Sequence, residues 1–186
     1  GNGRAMYINI ARLLTISNCT IKNMPNGDYL IIINPISYQL EKIVLDNVIF
    51  IDNKVSCSNY QGLDTGGGGI GIYVYKLSNF IFQDCKFIRN TNMKKSNGGV
   101  LGYCPNDTPN NMVSLQFVNC YFEDNMVQEG YNGSALYIKS RLNPVLIDSC
   151  TFINKITNTA NYGGAIYIDD KTNKNVTIIN CNFVQS

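Results

Sequence analysis

Apolar and polar residues recur along this chain in a fixed order. Aligned on a column that reads Cys19, Val48, Cys85, Cys120, Cys150 and Cys181, six phrases superimpose: TISNCTI, VLDNVIF, IFQDCKF, LQFVNCYF, VLIDSCTF and IINCNF. Successive members stand 29, 37, 35, 30 and 31 residues apart, as in a coil whose loops vary while its strands stay fixed. Five residues before the column come Leu14, Ile43, Phe80, Leu115, Val145 and Val176, and three before it Ile16, Leu45, Phe82, Phe117, Ile147 and Ile178. Apolar residues at period two mark the inward face of a strand. Two after the column stand Ile21, Phe50, Phe87, Phe122, Phe152 and Phe183, the inward face of a second strand. Immediately before it stand Asn18, Asn47, Asp84, Asn119, Ser149 and Asn180. The period slips there, so the chain bends, and short polar side chains that tolerate the left-handed backbone region suit such a bend.

A third strand is written by phrases such as NGRAMYINI, NGSALYIKS and YGGAIYIDD. Its inward pairs read Met6/Ile8, Leu30/Ile32, Ile72/Val74, Leu101/Tyr103, Leu136/Ile138 and Ile166/Ile168. The glycines turn a corner where a side chain would clash. No single unit can bury its own apolar residues, whereas stacked units can. Like side chains then lie above one another at the inter-strand spacing of ~4.8 Å. The pattern predicts an all-β, right-handed parallel β-helix of about six coils with three short strands per coil, ~25–30 Å long by that spacing. A sandwich or barrel of short strands is the alternative, but it does not require one column of Cys and another of Asn.

Composition adds exclusions. The 186 residues hold 45% hydrophobic and 15% charged positions, enough for one domain with a core. With 27 Asn and 23 Ile, the chain is rich in turn and strand formers. A net charge of +2 without a Lys/Arg run argues against nucleic acid as a partner. No apolar run of about 18 residues suggests membrane insertion by this segment, and no signal-peptide pattern opens it. There is no His, the commonest general base and metal ligand, so neither catalysis, a metal nor another cofactor is expected. The segment opens near a glycine strand and closes after a Cys-x-Phe strand. It is therefore read as a single domain over residues 1–186, part of a longer solenoid or a protomer that stacks end to end on flanking coils or copies of itself.

Two motifs alternate along the chain. GGAI at Gly163–Ile166 has variants GGVL at Gly98–Leu101 and GSAL at Gly133–Leu136; FxxN occurs as FIDN at Phe50–Asn53, FIRN at Phe87–Asn90 and FEDN at Phe122–Asn125. This alternation resembles the repeats of the chlamydial polymorphic outer membrane protein family, which also occur in surface proteins of some protists. The pattern departs at Lys155, where FINK lacks its Asn, and at Ser186. The resemblance implies an extracellular or cell-surface β-helix used in adhesion or as a structural scaffold, and it does not imply catalysis. Glycans or host-surface molecules are the partners expected of such a surface.

Several residues invite a chemical role. Seven cysteines cannot all pair within the chain. Cys19, Cys85, Cys120, Cys150 and Cys181 read as free packing residues, and Cys57 and Cys104, outside the column, as candidates for a disulfide. Tyr7, Tyr73, Tyr137 and Tyr167 fall on the outward side of the glycine strand, with Ile31 and Gly102 in the other two units. Such a row is either a solvent-facing platform for sugar rings or a partner surface, or a cross-strand stack that stabilises the sheet. N-x-Ser/Thr sequons mark Asn18, Asn106, Asn132 and Asn175. Asn18 is expected to be sheltered in the bend, which leaves Asn106, Asn132 and Asn175 as glycan carriers. TGGGGIG at Thr65–Gly71 lacks the ending of a phosphate loop and reads as an enlarged corner. Asp169 and Asp170 are the nearest thing to the carboxylates of a β-helix polysaccharide-cleaving enzyme, yet the KTNKN that follows reads as a solvated turn. A structural or adhesive rod is thus the first reading, with carbohydrate binding or cleavage as the alternative; the inserts Cys57–Gly66 and Cys104–Met112 are its expected variable contacts.

Overall fold

In the computed structural model the chain is an all-β solenoid of stacked parallel sheets. The structure describes residues 5–10, 12–25, 30–35, 41–55, 72–74, 79–93, 97–103, 114–127, 132–138, 144–155, 160, 162–168 and 175–186. Among them there is no helix.

Two six-stranded ladders form the body. One takes a strand from each repeat: Leu13–Ser17, Lys42–Asp46, Asn79–Gln83, Ser114–Val118, Val145–Asp148 and Val176–Ile179. The other runs Thr20–Lys22, Ile49–Ile51, Lys86–Ile88, Tyr121–Glu123, Thr151–Asn154 and Asn182–Gln185. Every neighbour pair is parallel, and the register holds the aligned columns together: Ile43 meets Phe80, Phe80 meets Leu115, and Phe87 meets Phe50 and Phe122. The bend between the ladders is a left-handed residue in each repeat. Asn18, Asn47, Asp84, Asn119, Ser149 and Asn180 have φ between 51° and 55°.

Elsewhere the coils depart from six uniform turns of three strands. The glycine strands form two separate three-stranded sheets, Met6–Ile10 with Ile31–Pro35 and Ile72–Val74, and Leu101–Tyr103 with Leu136–Ile138 and Ile166–Ile168. A fourth, two-residue strand follows FxxN in three repeats, at Lys54–Val55, Thr91–Asn92 and Met126–Val127. It arises because a second left-handed residue, Asp52, Arg89 or Asp124, turns the chain again. The second repeat also sits one residue away from its expected register. Met6 pairs with Ile31 and Tyr7 with Ile32, so Ile31/Ile33 take the places assigned to Leu30/Ile32. Both Leu30 and Ile31 are buried. In a run of four apolar residues, alternation cannot choose the face, and a one-residue slip exchanges the two faces.

Corners before the glycine strands explain the glycine motif. Gly98, Gly133 and Gly163 have φ of 81°, 68° and 64°. At Gly99 an added Cβ would lie 1.9 Å from the Ser134 carbonyl oxygen, so the chain passes the next coil with no room for a side chain.

The interior is a file of rings. Phe50, Phe87, Phe122, Phe152 and Phe183 stack in sequence with centroids 5.3, 4.8, 4.5 and 5.0 Å apart and planes within 18° of parallel. Phe82 and Phe117 form a second stack at 4.6 Å and meet the first edge-on. Each such pair adds ~0.5–1.5 kcal/mol beyond the area it buries. The two ends of the stack differ. In the first rung Ile16 and Ile21 are buried, whereas in the last Ile178 and Phe183 are 40% and 53% exposed.

Candidate functional site

The recurring polar columns bond one coil to the next. In the bend column, Asn47 Nδ2 donates to Asn18 Oδ1 at 2.8 Å, Asn119 Nδ2 to Asp84 Oδ1 at 2.5 Å, and Asn180 Nδ2 to Asp148 Oδ1 at 3.2 Å. Ser149, lacking the reach, donates to Asp148 beside it. Asn18 is exposed, against the expectation of a sheltered side chain, because the bend projects its side chain outward onto the rim.

A second column was visible in the sequence only as the last letter of FxxN. Asn53, Asn90 and Asn125 are fully buried. Asn53 Nδ2 donates to Asn90 Oδ1 at 2.9 Å and Asn90 Nδ2 to Asn125 Oδ1 at 3.0 Å. The same Oδ1 atoms accept the backbone N–H of the preceding Asn, at 3.3 and 3.0 Å. Their Nδ2 groups also reach backbone carbonyls of Ile21, Phe50 and Phe87. A primary amide carries two donors and an acceptor with two lone pairs, so it can bond in both directions along a stack. Where the motif breaks at Lys155, Asp124 takes over: its Oδ1 accepts the Lys155 N–H at 3.1 Å, and its Oδ2 meets Lys155 Nζ at 2.7 Å.

The thiol column is interior and unbonded covalently. Cys85, Cys120 and Cys150 are buried, Cys19 and Cys181 half-buried, and all five are free. Burial pushes the Cys120 thiol far above its ordinary range, helped by hydrogen bonds shared with Cys150 and Cys85. Burial also raises Cys181. Hydrogen bonds with Cys120 hold Cys85 and Cys150 below the ordinary thiol range; Cys120 is the thiol that burial keeps in its protonated form, which is neither nucleophile nor metal ligand. Among the described residues no group of three or more His, Cys, Asp or Glu side chains is placed to hold a metal. Cys57 and Cys104 lie outside the described residues, as do Asn106, Asp169, Asp170, the Thr65–Gly71 glycine run and the two long inserts.

On the rim, ion pairs also cross between coils. Arg12 meets Glu41, and Arg89 grips Asp52 with Nε–Oδ1 at 2.7 Å and Nη2–Oδ2 at 2.9 Å. The Arg89 hydrogen bond holds the Asp52 carboxyl below its ordinary range.

The tyrosine row does not form an open platform where it is described. Tyr137 is 7% exposed, and its ring stacks on Tyr167 at 5.5 Å and 4°, so the cross-strand stack, not the solvent-facing one, describes this pair. Tyr167 is half-buried. Tyr7 and Tyr73 hold equivalent register places in the other glycine sheet, both opposite Ile32; their side chains lie outside the description. The exposed ring of this corner is Tyr162, 6.4 Å from Tyr167.

The sequons differ in the same way. Asn132 is half-buried, with an Oδ1 that has no partner among the described residues, and the Ser134 of its sequon is buried and bonded to the Gly164 carbonyl. Asn175 is exposed beside an exposed Thr177, and Asn18 beside an exposed Thr20. Family models, curated proteins and solved structures yield no match to this chain.

Proposed function

We propose that this chain is a non-catalytic scaffold of the cell surface or extracellular space, a stiff rod that holds its inter-rung segments out to a partner. The observation that carries this reading is the use made of the repeated side chains. The Phe, Asn and bend columns each bond or stack one coil onto the next. A chain that spends its recurring positions on cohesion leaves recognition to the connections, where loops on a rigid frame are suited to it. Those connections include the segment from Val55 to Ile72 and that from Tyr103 to Ser114.

The GGA[ILV]/FxxN alternation supports the adhesive, surface-exposed version by its resemblance to polymorphic outer membrane protein repeats. Exposed sequons at Asn18 and Asn175 are compatible with a glycosylated rod. The partners are then surface glycans or proteins at the loops, and neighbouring coils at the ends.

The test is adhesion of the purified, labelled chain to cell monolayers and to a glycan panel. Saturable binding that survives Tyr137→Phe and is lost when residues 56–71 or 104–113 are replaced by a Gly/Ser linker is the expected result. Turnover of a polysaccharide, or absence of binding to every surface, overturns the proposal.

A further inference from the structure

Buried amides tie the middle rungs of the coil to one another. Between the rungs of residues 41–55 and 79–93, the Asn53 N–H and Nδ2 both donate to Asn90 Oδ1. Between the rungs of residues 79–93 and 114–127, the Asn90 N–H and Nδ2 both donate to Asn125 Oδ1, and Asn119 bonds Asp84 at the bend. The short sheet of Lys54–Val55, Thr91–Asn92 and Met126–Val127 runs alongside both junctions.

At the next junction, between the rungs of residues 114–127 and 144–155, these ties stop among the described residues. Lys155 stands where FxxN needs its Asn, so no amide oxygen meets Asn125. The Asn125 N–H has no partner among the described residues, although the residue is 1% exposed. Its Nδ2 keeps only the backward bond to the Phe87 carbonyl. Buried N–H groups in folded chains rarely stand unpaired. Ser149, in the bend column, bonds Asp148 of its own rung, and the short sheet ends at Met126–Val127. The backbone ladders do continue, and Phe122 stacks on Phe152. Besides the thiol contacts of Cys150, the polar side-chain ties here are the Ser134 hydroxyl on the Gly164 carbonyl and the Asp124–Lys155 pair. Asp124 is 12% exposed at its side chain and Lys155 65%. A buried, neutral amide rung is thus replaced by an ion pair that dissolved salt can screen. Arg89, the other cation that acts on Asp124, is gripped by Asp52.

We propose that this junction is a salt-sensitive seam built into the coil: the Asp124–Lys155 pair clasps it in place of an amide rung, and rising ionic strength loosens it before the two amide-laddered junctions. Position 155 sets the response. An Asn there supplies the oxygen that the Asn125 N–H and Nδ2 lack and makes the junction indifferent to salt. The seam concerns the cohesion of the coil and holds whether or not the chain is an adhesive scaffold.

Residue-resolved amide hydrogen exchange of the whole chain, from about 0.05 to 1 M sodium chloride, tests it. The Asn119, Asp124 and Thr151 amides bond across the seam, to Asp148, Ile153 and Cys120. The Asp84, Arg89 and Tyr121 amides bond across the junction before it, to Val118, Glu123 and Cys85. In the native chain, salt should speed exchange of the first set about fivefold relative to the second. Lys155→Met, which removes the charge and supplies no amide, should exchange at the fast rate in every salt concentration. Lys155→Asn should exchange at the slow rate throughout, and should slow the Asn125 amide about tenfold towards its counterparts at Asn53 and Asn90. If a variant does not fold, the salt series on the native chain decides alone. Equal salt dependence of the two sets, or none in either, overturns the proposal, as does a folded Lys155→Asn chain whose seam still responds to salt.

Discussion

Replacing Asn90 by Leu tests whether the buried amide ladder holds the coils together. Asn90 is fully buried, its neighbours on both sides are Asn53 and Asn125, and it takes part in four side-chain hydrogen bonds of 2.9–3.3 Å. Leu is of similar size and fills the space, so the loss is of bonds rather than of volume. The Asn53 N–H loses its acceptor, while Asn53 Nδ2, Asn125 Oδ1 and the Phe50 carbonyl each lose one partner. A buried group left unpaired costs ~1–3 kcal/mol and each further bond is worth ~0.5–1.5 kcal/mol net, so the expected destabilisation is about 3–7 kcal/mol. That is a large part of a domain stability of ~5–15 kcal/mol. Urea unfolding followed by far-UV circular dichroism reads it as a fall in midpoint at unchanged slope. Asn182→Leu, on an exposed position of the last rung, is the control and should change little. A loss below about 1 kcal/mol for Asn90→Leu would refute the ladder as a source of cohesion.

Three further outcomes follow from the same geometry. Gly99→Ala should cost at least about 2 kcal/mol, because its Cβ would overlap the Ser134 carbonyl oxygen, while Gly164→Ala, which meets nothing within 4 Å, should stay within about 1 kcal/mol; thermal melts compare them. In the native chain Cys85, Cys120 and Cys150 should resist a maleimide that labels the half-buried Cys19 and Cys181, and should react after unfolding, as read by mass spectrometry of labelled peptides. Asp52 has its folded pKa depressed by the Arg89 hydrogen bond, so its contribution is present above the ordinary carboxylate range and is lost as pH falls through the lower folded value. Both partners are well exposed, so Asp52→Asn should remove less than about 1 kcal/mol of stability at pH 7 and flatten that acid limb in a series of melts.

Much of this architecture is written at single positions of the repeat. The Phe column and the bend column are legible because each repeats one kind of residue at one offset, large apolar in the first and short polar in the second, and a parallel ladder places equal offsets side by side. The glycine motif is legible for a related reason, since Gly99 lies where the next coil leaves no room for a Cβ. Other features needed three dimensions. Leu30 to Ile33 are four apolar residues in a row, so alternation does not say which faces inward, and the pairing of Met6 with Ile31 does. Asn53, Asn90 and Asn125 were hidden by composition: among 27 Asn, a buried one looks like a turn residue, although its recurrence three places after Phe was the available signal. Tyr137 lies on the outer side of its strand, yet alternation knows nothing of what covers that side. The second left-handed turn at Asp52, Arg89 and Asp124 escaped because Arg is not a residue type that announces positive φ.

The central claim is that sequence repeats about 30 residues apart lie directly on one another as parallel rungs. Ring-to-ring contacts measured by nuclear Overhauser effects in a chain with labelled phenylalanines test it most directly. The account predicts cross-peaks in the order Phe50–Phe87, Phe87–Phe122, Phe122–Phe152 and Phe152–Phe183, and none between Phe50 and Phe122 or between Phe87 and Phe152. Contacts that skip a rung, or no contact between phenylalanines of successive repeats, would contradict it.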